Sequence, residues 1–287
     1  MKPYEWMVTY TPQTVWIERK GVLIWLSLYA GVLGGGTYLA SLYFGSLHGM
    51  ILGWLVILLI KSGLHLAHAK RPGRLWRMVL RPQTSWISRG LILTGLFIVF
   101  GALQIAASMR APGSGAELFF MIAAGICAFG VIVYSGFTMS SVGGIPFWNS
   151  ALLPTLFLLW AVLTGVVVVT AMGGARVETA ALDILVLLVA SMFLIVTYLS
   201  VAAYGEPVMK ESAKAVMKGR MAPVFFIGVV LVGTVIPLVT SFCGYRAGML
   251  PVSLSFVLVF CTIVGGLSLT YAALKAGLYS PLSPGGR

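Results

Sequence analysis

The sequence predicts an all-α membrane protein, a polytopic bundle of eight transmembrane helices that forms a single integral membrane domain over residues 1–287. Hydrophobic residues make up 59% of the chain and charged residues only 9%, against about 25% in a soluble domain. Apolar runs of about 20 residues recur throughout, which is the length that a helix needs to cross a bilayer. This pattern excludes a soluble enzyme, a disordered chain and a disulfide scaffold. Because the runs do not alternate apolar and polar residues, a transmembrane β-barrel is excluded too.

The positions of the apolar runs define the elements. Residues 1–20 are rich in Trp and Tyr, whose amphipathic rings settle at membrane interfaces, so this segment is expected to lie at the surface. The tail SPLSPGGR predicts a loop, because it holds two Pro and two Gly. The predicted helices are 21–44, 47–68, 86–108, 117–140, 150–172, 180–204, 222–243 and 250–273.

The basic residues lie in the loops between the helices, and they dominate a net charge of +12. Successive loops lie on alternating sides of the membrane. One side holds most of the basic residues, and the other holds Arg110, Arg176 and Arg246. The positive-inside rule then places both termini and the 69–89 loop in the cytoplasm of a cell (inner) membrane. A loop that is basic because it grips an acidic partner would mislead the rule, so a periplasmic-facing alternative stays open. Membrane topology and a docking surface for a partner explain the positive charge better than nucleic-acid binding does. The crowded side holds Lys2, Arg19, Lys20, Lys70, Arg71, Arg74, Arg77, Arg81, Arg89, Lys210, Lys214, Lys218, Arg220, Lys275 and Arg287.

Metal sites are not predicted. The three cysteines form no Cys-x-x-Cys pair, so no thiolate cluster for zinc or iron–sulfur is encoded. His48 lies about 25 Å along the predicted helix from His65, at 1.5 Å per residue. His65 and His68 share one helix face and cannot clamp opposite sides of a haem. A b-haem held by two histidines is therefore not expected, whereas mixed His/Met ligation stays open.

Polar residues converge near the basic side. The second and fourth predicted helices both run toward it, which places His65, His68 and Tyr134 at a similar depth. A phenol and imidazoles there suit a quinone, whose carbonyls need hydrogen-bond donors and whose redox chemistry needs groups that pass protons. The alternative is that Tyr134 is an interface anchor and that the histidines cap helices or face headgroups. Lys61 is a charge nearly at mid-span, which either snorkels, pairs with Asp183 or another acid, or belongs to a proton path.

Two motifs resemble a known family. The first is HAKRPGRLWRMVLRPQTSWISRG, from His68 to Gly90, and the second is IPFWNSALLPTLFLLW, from Ile145 to Trp160, which follows Tyr134-Ser135-Gly136. Both resemble the NrfD-like family, the membrane subunits of polysulfide reductase and its relatives. The TSWISRG stretch is also similar to the membrane anchors of dimethyl sulfoxide reductase. The resemblance covers all eight helices, the basic loop after the second and the IPFWN loop after the fourth.

The resemblance implies a quinone-binding subunit of a respiratory oxidoreductase, with menaquinone or ubiquinone and no haem or iron–sulfur cluster of its own. Its implied partners are a ferredoxin-like subunit with four iron–sulfur clusters and a catalytic subunit with a molybdenum or tungsten bis-pterin cofactor. Tyr134 falls where the family places a quinone-binding tyrosine. Arg71, Pro72 and Arg74 match a Gly-Arg-Pro-x-Arg stretch near the iron–sulfur partner. Two departures are Lys70, where the family often has Gly, and His68, where it often has an acid.

Together these observations predict a membrane subunit that exchanges electrons between the quinone pool and a docked iron–sulfur subunit. Tyr134 is expected to hydrogen-bond a quinone carbonyl, and His68, or His65 one turn deeper, to exchange protons with it. Trp148 and Asn149 are expected to shape the loop over the site and complete the quinone-binding set. The residues expected to hold the partner, unless they serve only topology and lipid phosphate, are Arg71, Arg74, Arg77, Arg81 and Arg89.

Three rival functions remain open at this point. A secondary transporter would show inverted halves around a polar cavity near the midplane. A b-type cytochrome would show a haem absorption band. A purely structural anchor would tolerate Tyr134→Phe and His68→Ala.

Overall fold

A computed structural model describes residues 7, 9–69, 71–174 and 177–281, which leaves Lys2, Lys70, Arg176 and Arg287 outside the described residues. Eight of its helices are long and apolar enough to cross a membrane, which confirms the predicted all-α polytopic class. The predicted spans match α1 and α2 and differ by a few residues elsewhere. The helices are α1 (Gly21–Phe44), α2 (Leu47–His68), α3 (Trp86–Arg110), α4 (Gly115–Ser140), α5 (Leu152–Ala171), α6 (Val177–Tyr204), α7 (Pro207–Met217), α8 (Val224–Ala247) and α9 (Val252–Lys275).

Four smaller elements lie outside the membrane helices in the described part of the chain. A 3₁₀ segment, Pro72–Leu80, follows α2, and the short helix α7 lies in the connection between α6 and α8, where the apolar pattern predicts a loop. Strands β1 (Thr11–Pro12) and β2 (Leu278–Tyr279) pair in antiparallel fashion. This pairing fixes the segment before α1 against the chain that follows α9.

Small polar residues and glycine set the helix ends. Ser85 and Ser114 precede α3 and α4, and each side chain accepts a hydrogen bond from the backbone N–H three residues on, at 3.3 and 3.2 Å. Such caps satisfy backbone donors that have no partner inside the helix. Gly45 ends α1 with φ of 68°, a left-handed conformation that glycine adopts without strain.

The membrane helices form two halves, α1–α4 and α5, α6, α8 and α9. In each half, each membrane helix packs against the next one, and the fourth packs against the first. Helix α1 packs against α5 where the two halves meet. A Cβ added to Gly36 of α1 would lie 1.9 Å from the Ala161 carbonyl oxygen, and one added to Gly165 of α5 would lie 2.1 Å from that of Gly36. Only glycine allows two backbones to approach this closely in a membrane, where small residues drive helix association.

Two membrane helices contain π-helical stretches, Val56–Lys61 within α2 and Val224–Val235 at the start of α8. In both, a hydroxyl donates to the carbonyl five residues earlier, Ser62 to Ile57 and Thr234 to Val229, each at 2.9 Å. A π turn inserts an extra residue and changes which side chains face the neighbours, and such turns recur at functional sites. In α2 the turn ends at Lys61.

Candidate functional site

The polar site lies inside the first half and is centred on two buried side chains. Lys61 is 2% exposed and Tyr134 is 4% exposed. The Lys61 Nζ lies 3.5 Å from the Tyr134 Oη and 4.7 Å from the centroid of its ring. A Cβ on Gly31 would approach the Lys61 side chain to 3.0 Å, so this glycine leaves room for the lysine.

Lys61 therefore does not snorkel, and it does not pair with Asp183. Within the described ranges it takes part in no salt bridge, and its ammonium group faces a phenol instead of a carboxylate. A buried cation without an acid is costly in an apolar interior and needs a functional reason. Lys61 and Tyr134 both line the same cavity.

His65 continues the chain of polar contacts. Its Nε2 lies 3.3 Å from the Tyr134 Oη, and its Nδ1 contacts the Ser27 Oγ. Ser27 donates its hydroxyl proton to the Lys61 backbone carbonyl at 2.9 Å, so it must accept from the Nδ1–H of His65. This assignment leaves Nε2 unprotonated, and it accepts the hydroxyl proton of Tyr134. Tyr134 in turn accepts from Lys61.

His68 lies at the end of α2 and does not contact Tyr134. Its Nδ1 lies 3.0 Å from the Lys20 backbone carbonyl, to which it donates, so it joins the end of α2 to the start of α1. The ring is partly exposed and lines the same cavities as His65 and Tyr134. The predicted convergence of His65, His68 and Tyr134 is therefore present, with His65 rather than His68 in contact with the phenol.

Two cavities of about 280 and 300 Å³ flank the Tyr134 side chain. Each is close to the lower end of the usual range for small-molecule pockets. One opens toward α3, and the other lies under the segment before α1. Both cavities are lined by His65, His68, Met78, Ile87 and Tyr134.

Gly90 of α3 gives the tyrosine ring its position. A Cβ at Gly90 would lie 2.1 Å from the Tyr134 Cδ2, so any side chain there would displace the ring. Neither Gly90 nor Ser27 was predicted as a site residue. Gly90 is the last residue of the motif that begins at His68, whereas one serine in an apolar helix carries no signal.

The IPFWN loop does not cover this site, which corrects the prediction for Trp148 and Asn149. Trp148 is fully buried, and its indole N–H donates to the Ala273 carbonyl at 2.7 Å. It packs behind Trp16, with ring centroids 5.4 Å apart, and lines neither cavity, whereas Trp16 lines one. Asn149 is exposed and also lines neither. The loop closes the end of the second half, because its apolar side chains point into that core.

The arginines of the basic loop fall into two groups. Arg71, Arg74, Arg77 and Arg81 are exposed along and beside the 3₁₀ segment, as a docking surface requires. Arg89 is half-buried and engaged within the chain, and its assignment to that surface stays a prediction. Its guanidinium donates to the carbonyls of Pro82 and Gln83 at 2.7 and 2.8 Å and lies over the Trp86 ring.

Among the described residues, no three His, Cys, Asp or Glu side chains lie close enough together to hold a metal ion. The polar cluster lies within one half of the protein and not between the halves, where a transporter site would be expected.

Comparison with protein families identifies a match over nearly the whole chain. A family described as "Polysulphide reductase, NrfD" matches residues 11–281, nearly the whole chain. No curated protein matches the sequence.

Proposed function

The chain belongs to the NrfD polysulphide reductase family, and on this premise we propose that it is the quinone-reactive subunit of a multi-subunit respiratory oxidoreductase. The family comprises membrane subunits of polysulfide reductase-type complexes. The proposal adds quinone, menaquinone or ubiquinone, as the substrate of this chain. The observation that carries it is the chain of contacts from Lys61 through Tyr134 and His65 to Ser27, beside two cavities.

The residues present fit a quinone head group. A bound quinone or quinol supplies two-electron, two-proton chemistry, and its oxygens need donors. Lys61 has two N–H groups beyond the one directed at Tyr134, and they can bind a carbonyl oxygen. Met78, Ile87 and Leu91 form apolar walls for a flat ring.

The tyrosine and histidine can pass protons as a pair. With Nε2 unprotonated, the Tyr134 hydroxyl donates to His65. When a proton arrives at Nε2, His65 becomes the donor and the Tyr134 O–H is free to turn toward a ligand oxygen. Ser27 holds the other ring nitrogen in both states. His68, which is partly exposed and lines both cavities, connects this pair to the membrane surface.

The exposed face of the 3₁₀ segment would dock the partner. Met78 lines both cavities, while Arg74 and Arg77 of the same segment face outward. A docked iron–sulfur subunit would therefore lie directly over the quinone site and exchange electrons with it. A third subunit with a molybdenum or tungsten cofactor would complete the complex. We propose the cytoplasmic face of the cell membrane for this surface, from the distribution of Lys and Arg.

Gentle purification from native membranes tests this function. We expect an iron–sulfur subunit, a pterin-containing subunit and about one quinone per chain to co-purify. A chain isolated intact without either subunit and without quinone would contradict the proposal. In that case the contacts of Tyr134 with Lys61 and His65 would be structural, and Tyr134 would not be a ligand of quinone.

A further inference from the structure

A separate cavity of about 400 Å³ lies between α6 and α8, in the second half. Its walls are mostly apolar. The hydroxyl-bearing residues on its lining are Ser200, Tyr204 and Thr234, and the Thr234 hydroxyl is already bonded to a backbone carbonyl. Val196 and Phe226 at its rim are 62% and 50% exposed. In a chain that spans a membrane, such apolar exposure faces lipid.

This cavity is a groove between α6 and α8, and its length along α6 matches the thickness of one membrane leaflet. Its lining on α6 runs from Met192 to Tyr204, which spans about 18 Å at 1.5 Å per residue. The hydrocarbon core of a bilayer is about 30 Å thick, so the groove ends near the midplane. One turn of a helix with its side chains fills roughly 400–600 Å³. The groove therefore suits an acyl chain better than a transmembrane helix of another protein.

Positive charge lies at the outer end of the groove. Met217 closes that end, and the chain continues at once into Lys218 and Arg220, both exposed. Neither forms a salt bridge with any residue that the structure describes, whereas the nearby Lys214 pairs with Glu211 at 2.7 Å. Two unpaired cations at the level of the headgroups attract anionic lipid.

We propose that this groove is a binding site for one anionic phospholipid. An acyl chain lies between α6 and α8, and the phosphate binds Lys218 and Arg220. Tyr204, which is 89% exposed at the same end, stands at the headgroup level. The site is independent of the quinone proposal, because it shares no residue with the two cavities beside Tyr134.

Native mass spectrometry of the purified full chain tests the site, with phosphatidylglycerol and phosphatidylcholine of identical acyl chains as probes. We expect one phosphatidylglycerol to bind at least tenfold more tightly than phosphatidylcholine. The double variant Lys218→Gln/Arg220→Gln should lose this preference. Ala203→Phe, which places a ring in the groove, should weaken both lipids at least fivefold. The matched control, Arg110→Gln/Arg246→Gln, removes two exposed arginines at the other membrane face and should change nothing.

Equal affinity of the wild type for both lipids would overturn the proposal. So would a preference that survives in Lys218→Gln/Arg220→Gln. A photoreactive amino acid at Phe226 in intact membranes gives a second readout. Lipid adducts support the site, and adducts with another protein chain would show that the groove binds a partner helix instead.

Discussion

Tyr134 in the first half and Tyr198 in the second are matched in burial, at 4% and 5% exposure, but differ in what their hydroxyls contact. The Tyr198 hydroxyl donates to the Phe147 backbone carbonyl at 2.5 Å. The Tyr134 hydroxyl meets the side chains of Lys61 and His65. A backbone carbonyl can only accept a hydrogen bond, whereas an amine and an imidazole can also gain or lose a proton. A buried tyrosine can therefore have either a structural or a functional role, and the groups that its hydroxyl contacts distinguish the two.

The large cavities repeat this contrast. Histidine side chains line both cavities beside Tyr134, and Lys61 lines one of them. The groove between α6 and α8 is mostly apolar and has no charged residue on its lining. The first half thus offers a site for a polar head group, and the second offers one for a lipid chain. The helices of the two halves pack in the same order, so the difference in chemistry lies in the side chains that face each cavity.

Protein stability should be most sensitive to substitution at the contact between the two halves. In Gly36→Ala the new methyl group would collide with the Ala161 backbone, which cannot move without displacing α5. We expect a loss of about 3 kcal/mol of stability, the upper part of the usual range for overpacking. Thermal unfolding of the purified chain measures it. Gly95→Ala is the control, because nothing lies within 4 Å of its added Cβ, and equal stability of the two variants would contradict this packing.

Lys61→Met should separate function from stability. Hydrogen bonds to charged groups contribute about 1.5–3 kcal/mol, so quinone affinity should fall by about tenfold to a hundredfold. The same change removes a buried cation that has no acid partner, and stability should rise by about 1 kcal/mol. Quinone titration and thermal unfolding of one preparation measure both. A destabilised variant with normal quinone affinity would assign Lys61 a structural role.

The paired variants Tyr134→Phe and Tyr198→Phe test the comparison of the two tyrosines. Loss of one neutral hydrogen bond costs about 1 kcal/mol, so Tyr134→Phe should weaken quinone binding by about fivefold. Tyr198→Phe should lower stability by a similar free energy and leave quinone binding unchanged. Quinone titration and unfolding of both variants supply the data, and equal quinone affinity in the two would erase the distinction.

Gly90→Ala should have a smaller effect on the same site. The added methyl group displaces the Tyr134 ring without removing its hydroxyl, so we expect a twofold to fivefold weaker quinone affinity, of the order of 0.5–1 kcal/mol. Gly95→Ala on the same helix should bind quinone normally. An unchanged affinity in Gly90→Ala would mean that the ring position is not important for binding.

Substitution of the exposed arginines should have the smallest effect, and it should act on partner docking. Arg74→Gln/Arg81→Gln should weaken partner docking by severalfold at low salt, since exposed charge pairs contribute about 0.2–1 kcal/mol each. Quinone affinity should not change. Binding of the isolated chain to the purified iron–sulfur subunit at two salt concentrations measures the effect. Docking that is unaffected at both would place the partner elsewhere.

The fold could be predicted from the sequence because long apolar runs have few alternatives in a membrane. The convergence of His65 and Tyr134 followed from helix direction and depth. The rotation of each helix did not, since a helix that is apolar on all sides has no preferred face in its sequence. For that reason Ser27 and Gly90 were not singled out. The inward orientation of Trp148 depends on the path of the loop between α4 and α5, which the apolar pattern does not determine. The hydrogen bonds from Arg89, in the first turn of α3, to the preceding loop depend on a turn geometry that charge counting cannot detect.

The most direct test of a quinone site beside Tyr134 is photolabelling with a quinone that carries an azide on its ring. The full complex in native membranes would be irradiated, digested and mapped by mass spectrometry. We expect labels on Met78, Ile87 and Leu91 beside Tyr134, and we expect excess unlabelled quinone to suppress them. Labels confined to Leu199 and Phe226 in the groove between α6 and α8, suppressed by the same competitor, would contradict that site.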